Sequence, residues 1–333
     1  MQLHLNTYGA YLHVKDQLFE VKIKEEKEIK KHHVSANKVK SIWMAKGTAL
    51  STDAVHLAVK NNIDIVFLEY DGFPIGRVWH SKLGSTSLIR KKQLEASIGP
   101  LAGHYTKQWL ERKLNNQAEF IRQLQKHRKQ HQEFLTDKIE RIENLRDKIK
   151  NTSAVDVNLV ADQFRGWEGT AGRLFFETIS KVIPPQYQFS GRSFRPAKDP
   201  FNAFLNYSYG LLYSRVEKCL ILAGLDPYVG FLHRDDYNYK SMVYDFIEPY
   251  RVFSDKVVFT LFAAKKIRQD FTEQIQNGIK IHKEGKVLLV EAFNKYFEED
   301  KVRYKGRNQT RMNIIQFDAH QFANELIKKE KPI

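Results

Sequence analysis

Gly76-Arg-Val-Trp-His-Ser-Lys-Leu-Gly84 marks the point where the chain changes character. Before it, short apolar runs sit between glycine and aspartate breaks: Leu3 and Leu5, Ala10-Tyr-Leu-His-Val14, Leu18-Phe-Glu-Val-Lys-Ile23 and Ser41-Ile-Trp-Met-Ala45. Runs of this length and spacing read as strands. The best of them is Ile63-Asp-Ile-Val-Phe-Leu-Glu-Tyr70, ended by Asp71-Gly72, and a short helix is predicted over Ser51–Asn61 with Ser51 or Thr52 as its N-cap. The charged run Lys22–His33 reads as a solvated hairpin or loop, and the pair His32-His33 within it is no metal motif in itself. Asp64, Glu69 and Asp71 lack a lysine at the spacing a nuclease site needs, so they are expected to be surface or turn acids.

After the seam the pattern is helical. Residues 104–150 are free of glycine and proline and dense in Lys, Arg, Glu and Gln. Ile121, Leu124, Leu135, Ile142, Leu145 and Ile149 fall near a heptad seam, but Arg128, His131 and Lys138 occupy slots that a clean coiled coil keeps apolar. This favours an amphipathic helix or helical hairpin packed on its own domain. Further helices are predicted at about 156–182, 200–223, 241–276 and 285–297, and again over 311–328, with Pro184-Pro185, Gly191 and Pro196 as breaks. The chain therefore reads as α+β: a β-rich domain over residues 1–82, then a larger, all-helical domain over 83–333.

Bulk properties narrow the partners. The 333 residues, 42% hydrophobic, suffice for real cores. A formal net charge of +15 favours a polyanionic partner, most often nucleic acid. The single cysteine, Cys219, lies among Leu220, Ile221 and Leu222 and reads as a small core residue; it rules out an internal disulfide and a thiolate zinc site. The N-terminus lacks an export signal, and no apolar run nears the roughly 20 residues of a membrane span, so a cytoplasmic protein is expected. Walker A, GxGxxG, HExxH, GxSxG and EF-hand patterns are all absent.

Two stretches are left to carry chemistry. In Gln163-Phe-Arg-Gly-Trp-Glu-Gly-Thr-Ala-Gly-Arg-Leu-Phe-Phe176, Gly166, Gly169 and Gly172 interrupt a helical pattern around Glu168. Each costs the helix on the order of 1 kcal/mol relative to alanine. Either small residues let helices pack closely there, or something else approaches the backbone. An acid beside the Phe164–Phe175 stripe needs a partner or acts as a ligand. The second stretch runs from Asp226 through Gly230-Phe-Leu-His233 to Val243-Tyr-Asp-Phe-Ile-Glu-Pro-Tyr-Arg251. Asp245 and Glu248 are three apart, which puts both carboxylates on one face of a helix, where a cation would relieve their repulsion. Pro249 should kink or end that helix. His233 can offer a neutral imidazole nitrogen, or it is a satisfied core residue.

These residues resemble a known family. Arg165-Gly-Trp-Glu-Gly-Thr-Ala171, Asp199-Pro-Phe-Asn-Ala203, Asn206-Tyr-Ser-Tyr-Gly-Leu-Leu-Tyr213, Asp226-Pro-Tyr-Val-Gly-Phe-Leu-His233 and Ser241–Arg251 are similar to the CRISPR-associated endonuclease-integrase of spacer acquisition. The likeness extends to Leu50-Ser51, Asn62–Leu68 and Asp71-Gly72. It implies an N-terminal β-domain with dimer or partner contacts and a helical catalytic domain. It also implies a homodimer working with a small companion adaptation protein on DNA, both foreign fragments and the CRISPR repeat. By motif the resemblance puts the metal ligands at Glu168, His233 and Glu248, with Asp245 as the neighbouring catalytic acid, and an oxygen-rich set with one histidine suits Mg²⁺ or Mn²⁺. Phosphodiester transesterification or hydrolysis is the implied chemistry. A branched-DNA nuclease shares the same site, and a non-catalytic nucleic-acid scaffold is the reading from another class. Arg165, Arg195, Lys240 and Arg251 are candidate phosphate contacts. Arg234-Asp235-Asp236 is assigned no role.

Overall fold

A computed structural model describes residues 1–25, 28–79, 86–153, 156–233 and 240–328; most of the seam, and Arg234-Asp235-Asp236, lie outside them. The chain divides into two compact units, Met1–Leu83 and Gly84–Ile333.

The first unit holds β1 (Gln2–Leu5), β2 (Tyr11–Lys15), β3 (Leu18–Glu25), β4 (Glu28–Ser35), β5 (Ser41–Ala45), β6 (Ala49–Leu50), α1 (Thr52–Lys60), β7 (Asp64–Leu68) and β8 (Pro74–Val78). They form two four-stranded sheets, ordered β1-β5-β7-β8 and β4-β3-β2-β6. Alternating apolar residues of both sheets, among them Leu5, Leu12, Phe19, Ile42 and Ile65, meet Ala54 and Ala58 of α1 in one core. Ser51 caps α1 by accepting from the Ala54 N–H at 3.1 Å. The charged run is the β3–β4 hairpin. Asp71 is a turn residue, accepting from the Phe73 N–H at 3.0 Å. Asp64 departs from the expectation of a surface acid: it is buried at the start of β7 and ion-paired to Arg77 of the neighbouring β8.

The second unit contains α2 (Ser87–Ser97), α3 (Pro100–Gln125), α4 (Gln132–Asn151), α5 (Val157–Val182), α6 (Pro200–Leu222), α7 (Ser241–Ile247), α8 (Arg251–Ala263), β9 (Thr272–Ile275), β10 (Gly278–Ile281), α9 (Lys283–Asn294), β11 (Lys301–Tyr304), β12 (Arg307–Thr310) and α10 (Arg311–Ile327). The glycine-free stretch is the α3–α4 hairpin, and the polar residues that spoil its heptads explain the break. Arg128 and His131 sit in the connection, and Lys138, buried in α4, bonds both oxygens of Glu177 on α5 at 3.0 Å. Asp199 caps α6, accepting from the Asn202 N–H at 2.8 Å, and this helix is buried along nearly its whole length, Cys219 included. The helix expected over 241–276 is shorter: Pro249 interrupts it with a 3-10 turn at Glu248–Tyr250, α8 ends at Ala263, and a β-hairpin follows. A second hairpin joins β11 to β12. The class is α+β, with a β-sheet unit followed by a mostly helical one. Among the described residues no helix is long and apolar enough to cross a membrane.

Candidate active site

Four elements of the helical unit bring the singled-out residues to one neighbourhood. Phe164, Ala171 and Phe175 bury one face of α5 completely, and Glu168 stands at the edge of that face with its side chain 32% exposed. The added Cβ of an alanine at Gly166, Gly169 or Gly172 would meet nothing within 4 Å. The glycines are therefore not there for close helix packing. Gly169 and Gly172 open a groove of about 1000 Å³ that Glu168, Arg173, Phe176 and Arg192 also line.

Glu248 opens the 3-10 turn that Pro249 imposes, and α3 grips this turn at three points. Asn116 Nδ2 donates to the Pro249 carbonyl at 2.8 Å. Arg112 Nη1 donates at 2.7 Å to Asp318 Oδ2, which also accepts from the Tyr250 hydroxyl at 2.8 Å. Lys113 reaches Glu248 directly: its Nζ is 2.5 Å from Oε2 and also contacts Glu168 Oε1, so one buried ammonium joins the two carboxylates. Arg251 Nε donates to Glu248 Oε1 at 2.8 Å. Burial favours the neutral acid at Glu248, yet Arg251 and Lys113 outweigh it and hold the carboxyl well below its ordinary range. Burial likewise opposes charge on Lys113, and Glu248 and Glu168 keep its pKa raised.

His233 closes a loop that only glycine permits. A Cβ at Gly230 would come within 2.5 Å of the His233 carbonyl oxygen and of Ser241 Cβ. Gln93 of α2, fully buried, clamps the same loop by donating to the Asp226 and Val229 carbonyls at 2.9 and 2.8 Å and accepting from the Asp226 N–H at 2.8 Å. Asp245, 3% exposed, accepts from the backbone N–H groups of Phe231, Leu232 and His233 at 2.5, 3.1 and 3.2 Å. Its Oδ1 lies 2.6 Å from His233 Nδ1. Asp245 is thus the partner of His233 and not of Glu248, and each acid has its own compensating donors. Burial disfavours the imidazolium, the Asp245 bond overcomes this, and the His233 pKa is raised. With Nδ1 engaged, Nε2 is the nitrogen left to face a ligand.

Among the described residues no three His, Cys, Asp or Glu side chains converge closely enough to hold an ion as they stand. The donor chemistry nevertheless fits one. Glu248 Oε2 is enclosed without a well-aligned hydrogen bond, its 2.5 Å contact with Lys113 being an ion pair only. Glu168 faces the groove, and a carboxylate-held imidazole stands near Glu248, whose charge it senses.

The basic candidates have more local duties. Arg251, besides holding Glu248, lies 5.1 Å from the Tyr209 ring centre. Arg165 pairs with Asp162 at 2.8 Å and donates to the Leu232 carbonyl at 3.2 Å, tying α5 to the histidine loop. Lys240 is 2.7 Å from Glu217. Arg195 is exposed, 5.0 Å from the Phe194 ring centre. Sequence reasoning missed Lys113 and Gln93. Both were signalled by polar residues in line with buried positions, Lys113 between Trp109 and Gln117 of α3 at intervals of four.

Comparison with known proteins finds likenesses over almost the whole chain. The family described as CRISPR associated protein Cas1 matches residues 3–295. A CRISPR-associated endonuclease Cas1 of Archaeoglobus fulgidus is 31% identical over 330 residues, covering 96% of this chain and 94% of the relative. One from Saccharolobus solfataricus is 28% identical, covering 97% and 94%. Among solved structures, a casposase bound to integration product superposes with a TM-score of 0.84 at 22% identity, covering 100% and 92%. A Cas1 protein of Thermotoga maritima gives 0.79 at 18% identity, covering 99% and 98%.

Proposed function

The chain belongs to the CRISPR-associated protein Cas1 family, and from that premise we propose that it is a divalent-metal-dependent DNA endonuclease and integrase. Its reaction is transesterification: the 3′-hydroxyl of a short DNA fragment bonds to a phosphorus of the CRISPR repeat, the P–O bond to the repeat's own 3′-oxygen breaks, and that oxygen leaves as a 3′-hydroxyl; attack by water instead gives nicking. Glu168, His233 and Glu248 would hold the ion, and Mg²⁺ or Mn²⁺ bound there would supply positive charge for the phosphate oxygens and a lower pKa for the attacking hydroxyl.

The chain's own residues prepare that site. Asp245 fixes the His233 imidazole through Nδ1 and leaves Nε2 as the nitrogen for a ligand, which makes it a positioning residue. Helix α3 sets the height of Glu248, and Arg251 fixes the orientation of its carboxylate. The groove beside Gly169 and Gly172, with Arg173 in its wall and Phe176 for a base to stack on, is a seat for the DNA strand. The likeness to a casposase holding its integration product and to a Cas6-RT-Cas1–Cas2 complex supports DNA and a small Cas2-type companion as partners of a homodimer. The observation that carries the reading is the convergence of Glu168 and Glu248 on one cation beside a carboxylate-held histidine.

The test is Mn²⁺-supported strand transfer of a labelled duplex into a repeat-bearing plasmid, with DNA binding measured alongside. Glu168→Ala and His233→Ala should each lose joining and nicking by at least about 100-fold while keeping most DNA affinity, which comes mainly from the basic surface. Undiminished joining in either variant would overturn the assignment.

A further inference from the structure

We infer that Lys113 is a built-in cation that holds the Glu168–Glu248 pair together and withdraws when a divalent ion binds, making Glu248 Oε2 the oxygen released to the ion. The inference rests on the ligand assignment above and concerns which of two protein cations gives way.

Glu248 has both oxygens engaged, and the two engagements differ in quality. Oε1 accepts an aligned hydrogen bond from Arg251 Nε at 2.8 Å. That guanidinium lies 5.1 Å from the Tyr209 ring centre, and the Tyr209 hydroxyl is anchored to Asp255 Oδ1 at 2.6 Å. A guanidinium held both by this carboxylate and against a fixed ring has little freedom to leave. Oε2 has only the ammonium of Lys113 at 2.5 Å, in a contact that lacks hydrogen-bond alignment. Lysine offers a point charge on a flexible stem, so it is the cation that can retreat.

Charge requires some cation at this place. Two carboxylates brought together from α5 and from the 3-10 turn, one of them 8% exposed, repel strongly unless a positive charge sits between them. Lys113, also 8% exposed, supplies that charge from inside the protein. Glu168, at the other end of the bridge, opens on the groove, which is the route by which an ion reaches the pair.

The test compares the full-length wild type with Lys113→Met, which keeps an unbranched apolar stem without the charge, and Lys113→Arg, which keeps the charge on a less yielding fork. Mn²⁺ affinity is read without DNA, by the electron paramagnetic resonance of free Mn²⁺ and by the metal-induced shift of the melting temperature. Lys113→Met should bind Mn²⁺ at least about tenfold more tightly than wild type and melt lower without metal, and Lys113→Arg should bind several-fold more weakly. A folded Lys113→Met whose Mn²⁺ affinity is unchanged or reduced overturns the inference. If Lys113→Met folds only with Mn²⁺, exchange of one cation for the other is supported directly. If it folds in neither condition, Lys113→Arg decides, and wild-type affinity in that variant overturns the inference. Glu168→Gln separates the two levels: intact Mn²⁺ binding there sinks the ligand assignment itself. Lost binding there, with no tightening in Lys113→Met, sinks only the role given to Lys113.

Discussion

Two buried glutamates, one in each unit, show how differently a fold can neutralise an enclosed acid. Glu20 lies at the centre of a row across the sheet: it is directly opposite His13 on β2 and His33 on β4, and their Nε2 atoms stand 2.8 and 2.6 Å from its two oxygens. Burial acts to raise its pKa, and the hydrogen bonds from the two histidines overcome this and hold it at about 2. Strand register alone assembles this triad, and each oxygen has one aligned partner. Glu248 is assembled from afar, by Lys113 of α3 and Arg251 of α8, and it shares the lysine with a second carboxylate that opens on a groove. One oxygen is well bonded and the other is not. The comparison separates an acid that completes a structure from one kept ready for a further partner.

The contrast can be broken by experiment. The largest effect is expected from Glu248→Ala, which takes the carboxylate partner from half-buried Arg251 and leaves buried Lys113 with Glu168 alone; it should cost about 3–5 kcal/mol in denaturant unfolding. Glu20→Ala should cost less, because His13 and His33, with side chains 18% and 43% exposed, reach solvent more readily than Lys113 at 8%. Equal losses would erase the distinction.

Next comes pH. Desolvation raises the carboxyl of Asp255, which holds the Tyr209 that Arg251 lies against, to about 7 despite the Tyr209 hydrogen bond and the nearby arginines. The folded state then binds this proton more tightly than the unfolded chain does, so stability falls as pH rises from the ordinary carboxyl value of 3.8 through 7. Asp255→Asn should remove that fall and raise stability at pH 8 by roughly 2–4 kcal/mol, read as a flattened profile of melting temperature against pH. Glu20 has the opposite sign: its contribution is complete above the ordinary glutamate value of 4.5 and is lost as pH falls from there toward 2.

Asp245→Asn should reduce joining about 10–100-fold and leave DNA binding unchanged, since it disturbs the imidazole's holder and the loop N–H groups gathered on the same carboxylate, not the basic surface. The smallest effect is expected from Gly169→Ala: a gain of about 0.5–1 kcal/mol in stability, because the helix improves and the new methyl meets no neighbour. A loss of stability there would mean that the glycine serves packing after all.

The change from strand to helix, the capped α1, the α3–α4 hairpin and the break at Pro249 were legible because each rests on local periodicity or on one residue's backbone chemistry. The crowding around Glu168 was legible as a choice between packing and approach, and the open space beside Gly169 decides it. Lys113 was legible only through its spacing of four from Trp109 and Gln117; in a helix dense with lysine and arginine nothing else sets one inward-facing lysine apart. The burial of Asp64 depends on β7–β8 register, which the sequence does not display. The hairpin at β11–β12 has four-residue strands, too short for periodicity, and its turn places Lys305 and Gly306 at φ 44° and 81°. A Lys-Gly pair is a weaker hairpin signal than Asn-Gly. The pairing of Asp245 with His233 needed the loop from Phe231 to fold back, which helical spacing argued against.

One consequence of α3 concerns tolerance to length change. Arg112, Lys113 and Asn116 grip the Glu248 turn from a single helix of 26 residues, about 39 Å long. Inserting one residue just before Arg112 would rotate all three by about 100° relative to the preceding part of the helix. The same insertion in the exposed connection around Lys129 and Gln130 would change loop length and leave that rotation untouched. Helix α3 thus behaves as a keyed shaft: changes in the chain's length are admissible beyond its end and not along the gripped segment.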